Sequence, residues 1–295
     1  MTQQSQPIIF FGTEDFSLYS LKALVETGFP VVAVVTKADT PRGRGNVITE
    51  PAVKTYAISK SIPIWQPTHM LDIVDDIKQY DAPVGVLVSF GKIIPSAIID
   101  LFTPGIVNVH PSLLPLYRGP SPIESAIKNR DAKTGVTLMQ LAPKMDAGPI
   151  YTQVPYALDQ TETKPELYDT LGQLGANLLV QKLPQILDRT ITPIDQDDDQ
   201  ATYCQLLSKD DSLLDPLAIT PGDAEALVRA HLGFPRTRVT VGEHTIIVKK
   251  AHAVMTKNTP LDIECQNGAF LSIDELVGPS GRTMTSDAFL RGYSL

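Results

Sequence analysis

Asn108 and His110 stand two residues apart in the stretch Asn108-Val109-His110-Pro111-Ser112-Leu113-Leu114-Pro115, directly after the apolar run Gly105 to Val107. On an extended backbone, residues i and i+2 send their side chains from the same face, so a carboxamide and an imidazole leave this strand together. Pro111 has no N–H to give to a ladder, which puts the pair where the strand yields to its loop. In open α/β sheets, ligands bind just beyond the carboxyl ends of the parallel strands. A neutral hydrogen-bond donor beside a titratable base is what acyl transfer needs: the donor steadies an oxyanion and the base moves a proton.

The order Asn108-x-His110, then Ser112-Leu113-Leu114-Pro115 and Tyr117-Arg118-Gly119, resembles the signature of enzymes that use 10-formyltetrahydrofolate. Met145-Asp146-Ala147-Gly148 is similar to the Asp-x-Gly segment of that superfamily. Within it, the resemblance is to the methionyl-tRNA formyltransferase family and runs over nearly all 295 residues. Further landmarks are Phe11-Gly12-Thr13-Glu14-Asp15-Phe16, Gly43-Arg44-Gly45, Phe90-Gly91-Lys92-Ile93-Ile94-Pro95 and Leu207-Ser208-Lys209.

The resemblance implies transfer of a formyl group from 10-formyltetrahydrofolate to the α-amino group of methionyl initiator tRNA, for translation initiation, with no metal. It implies Asn108, His110 and Asp146 as the catalytic set. Asn108 donates to the formyl oxygen, His110 stabilises charge or shuttles a proton, and Asp146 holds the imidazole, directly or through water. Ser112, Leu113, Leu114 and Pro115 carry over as the folate-contacting loop, and Phe90, Gly91 and Ile93 as a second wall of the same pocket. Arg44, with Arg42 beside it, is implied to reach the acceptor stem from a glycine-flanked loop. Asn46-Val47 and Leu116 stand where basic residues are commoner in the family, which would make the salt dependence of tRNA binding shallower. Taken singly, each residue has a plainer reading: Asn108 satisfies turn backbone, His110 is a packed histidine, Asp146 begins a turn. Their joint occurrence inside the pattern favours function.

The same catalytic core acting on an amino sugar nucleotide is the runner-up, and the Gly43-Arg44-Gly45 loop speaks against it. A folate-binding or RNA-binding protein without catalysis is a third reading; it has no use for all three of Asn108, His110 and Asp146.

The elements that must position these groups follow from hydrophobic period. Pro7 to Phe11 and Val31 to Val35 are apolar runs on either side of a helix-period stretch, Asp15 to Thr27, closed by Gly28. Helical segments at Pro51 and Leu71 to Tyr80, and strands at Ile62 to Trp65, Val84 to Val88, Gly105 to Val109 and Gly135 to Leu141, continue the pattern. Apolar strands alternating with amphipathic helices predict a Rossmann-like, mostly parallel sheet covered on both faces. The loop Gly12-Thr13-Glu14-Asp15 lacks the further glycines of a dinucleotide fingerprint, so a nicotinamide cofactor is not expected. Ser121-Pro122 starts a short helix and Pro165 a longer one to about Asp188.

Residues 1–188 are thus expected to form the catalytic domain, with an acidic linker over 189–207. Residues 208–295 carry a helix from Pro221 to His231, then short strands at Val239 to Val241, Thr245 to Lys249, Asp262 to Glu264 and Ala269 to Ile273. That spacing suggests a small β-barrel, OB-like and tRNA-contacting in the resembling family. Between Val254 and Asp262 the chain is shorter than such a barrel leads one to expect.

The net charge of −8 is a weak argument against nucleic acid, because phosphates respond to local patches. Lys37, Arg42, Arg44 and Lys54 face Asp39 and Glu50 in one stretch; Arg236, Arg238, Lys249 and Lys250 face Glu243 in another. From these, Lys37, Arg42, Arg44, Arg236, Arg238 and Lys249 are the candidate RNA contacts. The two cysteines, Cys204 and Cys265, have neither disulfide-framework nor zinc spacing. Met1 to Pro7 lacks the features of a signal or transit peptide and no apolar run spans a membrane, so a cytoplasmic protein is expected; its expected state, taken separately, is a monomer.

Overall fold

The computed structural model describes residues 6–42 and 47–295. It divides into two compact units, the first made of Met1–Pro120, Gly135–Tyr156 and Tyr168–Tyr203. Strand β1 (Ile8–Gly12) is buried throughout. Helix α1 (Asp15–Glu26) opens on an acidic residue that suits its positive end, and Gly28 follows its cap with φ of 82°. Next come β2 (Val31–Val35), the hairpin of β3 (Thr40–Arg42) and β4 (Val47–Thr49), α2 (Ala52–Ser59), β5 (Ile64–Trp65), α3 (Val74–Ile77), β6 (Val84–Val88), α4 (Ser96–Ile99) and β7 (Ile106–His110). Helix α5 (Pro122–Lys128) belongs to the second unit; of β8 (Lys133–Gln140), β9 (Ile150–Ala157) and α6 (Lys164–Leu187), all but Lys133–Thr134, Ala157 and Lys164–Leu167 belong to the first.

The main sheet has seven strands in the order β5-β2-β1-β6-β7-β8-β9. Pairings from β5 to β7 are parallel, as the apolar runs predict, but β8 runs antiparallel to β7. One face buries Ile9, Phe11, Ala33, Val35 and Ile106 under Met70, Ile77, Ile98 and Phe102. The other meets α6, and the approach is close: a Cβ on Gly175 would lie 2.9 Å from Val109 Cγ1. Strand β7 is therefore gripped from both sides, which fixes the direction in which its Asn and His project.

The second unit comprises Ser121–Thr134, Ala157–Leu167 and Cys204–Leu295. Helix α7 (Pro221–Ala230) is capped by Thr220, whose hydroxyl accepts from the Asp223 N–H at 3.2 Å, with proline at the start of the helix where no donor is missed. Strands β10 (Arg238–Val241), β11 (His244–Val254), β12 (Ile263–Glu264), β13 (Phe270–Val277) and β14 (Thr283–Thr285) form a five-stranded sheet, antiparallel in the pairings β10–β11, β11–β13, β12–β13 and β13–β14. Helix α8 (Ser286–Gly292) follows. Leu227, Val228, Val239, Ile246, Leu271, Ile273, Leu276 and Phe289 make its core. Between β11 and β12 the chain turns without a strand, and Asp262 closes that turn by accepting from Asn258 N, Thr259 N and Ser272 Oγ at 2.6, 2.8 and 2.7 Å. No helix among the described residues is long and apolar enough to cross a membrane.

Candidate active site

Asn108 and His110 leave β7 on one face, and both are 5% exposed. The half-buried Asp146, carried by the loop after β8, meets them. Asn108 Nδ2 lies 3.4 Å from Asp146 Oδ1, and His110 Nδ1 lies 3.8 Å from Asp146 Oδ2. Oδ2 also accepts from the Gly119 backbone N–H at 2.8 Å. Asp146 adopts φ of 46°, in the left-handed region, which aspartate enters more readily than most side-chain-bearing residues but still uncommonly.

The imidazole is tied on its far side. Its Nε2 sits 2.9 Å from the carbonyl oxygen of Tyr117. A carbonyl only accepts, so Nε2 carries the hydrogen, and Nδ1, facing the carboxylate, is the atom at which a proton can arrive. Among the described residues, Asn108 Nδ2 makes a single long hydrogen bond, to Asp146, and it has two hydrogens, so a donor remains for an incoming oxygen.

The loop after β7 is stitched to β8. Ser112 Oγ donates to Leu116 O at 2.6 Å. The buried Thr137, opposite His110 in register, donates to Ser112 O at 2.7 Å and accepts from Leu114 N at 3.2 Å and Gln153 Nε2 at 2.9 Å. Gln153 reaches Leu114 O as well, at 2.7 Å. Ser112 and Leu114 are buried, whereas Leu113 and Pro115 keep some surface. In the neighbouring segment Phe90 is 1% exposed and packs edge-on against Phe11, so its ring belongs to the core; Gly91 and the 84%-exposed Ile93 supply the surface there. A cavity of about 280 Å³ lined by Pro104, Gln140, Tyr151 and Ile186, among others, contains none of the three convergent groups.

Arg118 and Gln196 join the site although neither is among the residues expected there from the sequence. Arg118 is fully buried and donates from Nε and Nη2 to Gln196 Oε1 at 3.1 and 2.9 Å. Gln196 Nε2 donates in turn to the carbonyl oxygens of Asp146 and Gly148 at 2.8 and 2.7 Å. The Arg118 signal lay in Tyr117-Arg118-Gly119; Gln196 had none, in a stretch without hydrophobic period.

The basic residues differ among themselves. Arg44 lies outside the described residues, and Arg42 is the last residue of β3. Lys37 is half-buried, its amine so near Gly91 that a Cβ there would meet Nζ at 2.4 Å. In the second unit, Arg236 and Arg238 are exposed, with Arg238 Nε donating to Ser212 Oγ at 2.9 Å. Lys249 is ion-paired with Glu275 at 2.6 Å, which removes net charge that counting along the chain had assigned to this patch.

Comparison with known proteins decides what this arrangement is part of. The family described as formyl transferase matches residues 7–183, more than half of the chain. The chain belongs to that family. Curated relatives extend the match past residue 183. The methionyl-tRNA formyltransferase of Myxococcus xanthus is 35% identical over 98% of this formyltransferase and 95% of its own length. That of Halorhodospira halophila is 37% identical over 98% and 96%. Among solved structures, the N-formyltransferase of Helicobacter canadensis, in complex with folinic acid and dTDP-3-aminofucose, superposes with TM-score 0.70 at 16% identity, covering 90% of this chain and 98% of its own. A sugar 3N-formyl transferase solved with dTDP and 5-N-formyl-THF gives 0.68 at 17%, over 91% and 97%. At such identities the structural matches speak for the shared fold of this formyltransferase.

Proposed function

We propose that this formyltransferase moves the formyl group of 10-formyltetrahydrofolate onto the α-amino group of methionyl initiator tRNA, for translation initiation in the cytoplasm, acting as a monomer. The observation that carries the reading is full-length similarity: relatives named for methionyl-tRNA match 98% of the chain at 35 and 37% identity, while the sugar enzymes share the fold at 16 and 17%.

The free amine of the methionyl group attacks the formyl carbon, and a tetrahedral intermediate forms with negative charge on its oxygen. Asn108 Nδ2 donates to that oxygen; a donor of this kind is worth roughly 10²–10³ in rate. The attacking nitrogen becomes cationic and releases a proton to His110 Nδ1. Asp146 and the Tyr117 carbonyl hold the ring between them, and the resulting imidazolium can then donate to both. When the bond from carbon to N10 breaks, His110 returns the proton to N10. One C–N bond forms, one breaks, and the amine proton ends on tetrahydrofolate. No metal takes part in these steps.

Folate lies on the Ser112-Leu113-Leu114-Pro115 loop and on the Phe90-Gly91-Ile93 segment, with Phe90 acting from beneath through packing. Residues 1–188 carry the catalytic groups, 189–207 lead on from them with Gln196 and Asp198 packed against Arg118, and 208–295 form an OB-like domain that contacts tRNA. Lys37, Arg42, Arg44, Arg236, Arg238 and Lys249 face the phosphates, Lys249 the weakest among them because of Glu275. The test offers purified protein 10-formyltetrahydrofolate with methionyl-tRNA and an amino sugar nucleotide in parallel. Formyl-methionyl-tRNA is the expected product; formylation of the sugar alone would contradict the reading.

A further inference from the structure

We infer that Gln196, clamped by the buried Arg118, is a positioning residue for catalysis, fixing Asp146 in the left-handed conformation from which its carboxylate meets Asn108 and His110. The inference rests on the role read for Asp146 above.

An amide's two ends are chemically distinct, and here each has a partner that dictates its orientation. The Arg118 guanidinium can only donate, so the Gln196 oxygen must face it; the nitrogen then faces the carbonyls of Asp146 and Gly148, which can only accept. Two carbonyls two residues apart are thereby drawn to one NH₂ group, which holds the backbone on the carbonyl side of Asp146, the residue whose φ is 46°. From the other side the turn rests against β8: a Cβ on Gly148 would lie 1.8 Å from Gln140 O, so only glycine fits. A second latch runs through Asp198, which pairs with Arg118 at 2.8 Å and with Lys144, two residues before Asp146, at 2.6 Å. Both bonds hold the Asp198 carboxyl below the usual carboxylate range, that from Lys144 contributing most.

Tyr117, Arg118 and Gly119 thus act in series. The first holds the His110 ring through its carbonyl, the second holds Gln196 and Asp198, and the third donates to the Asp146 carboxylate. The clamp is also selective. Glutamate at 196 would suit Arg118 but present an oxygen, not a donor, to the two carbonyls. Misplacement of a reacting group by about 1 Å can cost around 10²-fold in rate.

The experiment is a double-mutant cycle read in single-turnover formyl transfer to methionyl-tRNA. Gln196→Leu is expected to lower kcat roughly 10- to 100-fold, with KM for the folate donor within about twofold of wild type. Placed in Asp146→Asn, the same change should cause no further loss, because Gln196 acts through Asp146. Gln196→Glu should be no better than Gln196→Leu. Asp198→Ala, at an exposed position, should give the same kcat-only pattern at a few-fold and serves if the Gln196 variants do not fold. Near wild-type kcat in both Gln196→Leu and Asp198→Ala, or losses that add fully in the Asp146→Asn background, would overturn the inference while leaving the role of Asp146 intact. Wild-type kcat in Asp146→Asn alone would overturn that role and the inference with it.

Discussion

His110 donates from Nε2 to the carbonyl oxygen of Tyr117 at 2.9 Å, and Tyr117 presents that oxygen from a left-handed backbone with φ of 58°. The bond selects the tautomer, leaving Nδ1 toward Asp146 as the proton's landing place. Glutamine can donate to the same carbonyl but cannot take a proton. His110→Gln should therefore fold with a melting temperature within a few degrees of wild type, yet lose about 10²–10⁴ in kcat. Thermal unfolding and steady-state assays on the same preparation check both halves.

Thr137 joins the 112–115 loop, proposed above to contact folate, to the sheet through one hydroxyl. Valine has the same shape but leaves Ser112 O without its donor and Leu114 N without its acceptor, in a buried place. Thr137→Val is expected to cost about 1–3 kcal/mol in denaturant unfolding, and to raise KM for the folate donor more than KM for tRNA. An unchanged folate KM would separate this loop from folate binding.

His231 is buried in the second unit, and its Nδ1 has no hydrogen-bond partner among the described residues. Burial, aided by the cations of Lys128 and Lys164, lowers its pKa from 6.5 to about 4. The folded state then keeps His231 neutral where the unfolded chain takes up a proton, so stability falls as pH drops from 6.5 toward about 4. Between pH 7 and pH 5 this group alone should remove about 2 kcal/mol. Denaturant midpoints should show that part of the acid loss absent in His231→Gln; identical pH dependence in the two proteins would refute the assignment.

Arg236 is exposed and makes no ion pair among the described residues, whereas Lys249 is neutralised by Glu275. Replacing a cation that meets a phosphate lowers the slope of log affinity against log salt by about one. Arg236→Ala should do this for methionyl-tRNA binding, and Lys249→Ala should change the slope far less. Filter binding across a salt series measures both.

The residues that were legible in the sequence are those governed by local rules. Strand parity put Asn108 and His110 on one face, and Pro111 placed them at the strand's end, because both constraints act within a few residues. The parallel order from β5 to β7 followed from apolar runs between helices. Between β7 and β8 the alternation is kept by α5, but that helix belongs to the second unit and is no crossover on this sheet, so the antiparallel course of β8 was not readable. Phe90, expected at the pocket wall, packs into the core, since an apolar residue in a loop gives no sign of which side it faces. Lys249 read as free charge because its partner Glu275 lies across a strand pairing and not along the chain. Gln196 was invisible for the same reason: its partners, Arg118, Asp146 and Gly148, are all distant in sequence.

In the mechanism proposed above, one carboxamide, one imidazole and one carboxylate act on a single formyl carbon. The most direct test of that mechanism is the single-turnover rate of formyl transfer from 10-formyltetrahydrofolate to methionyl-tRNA by wild type and Asn108→Ala, with folate binding followed in parallel. Asn108→Ala should be slower by about 10²–10³ at unchanged folate affinity. Equal rates in the two proteins would contradict it.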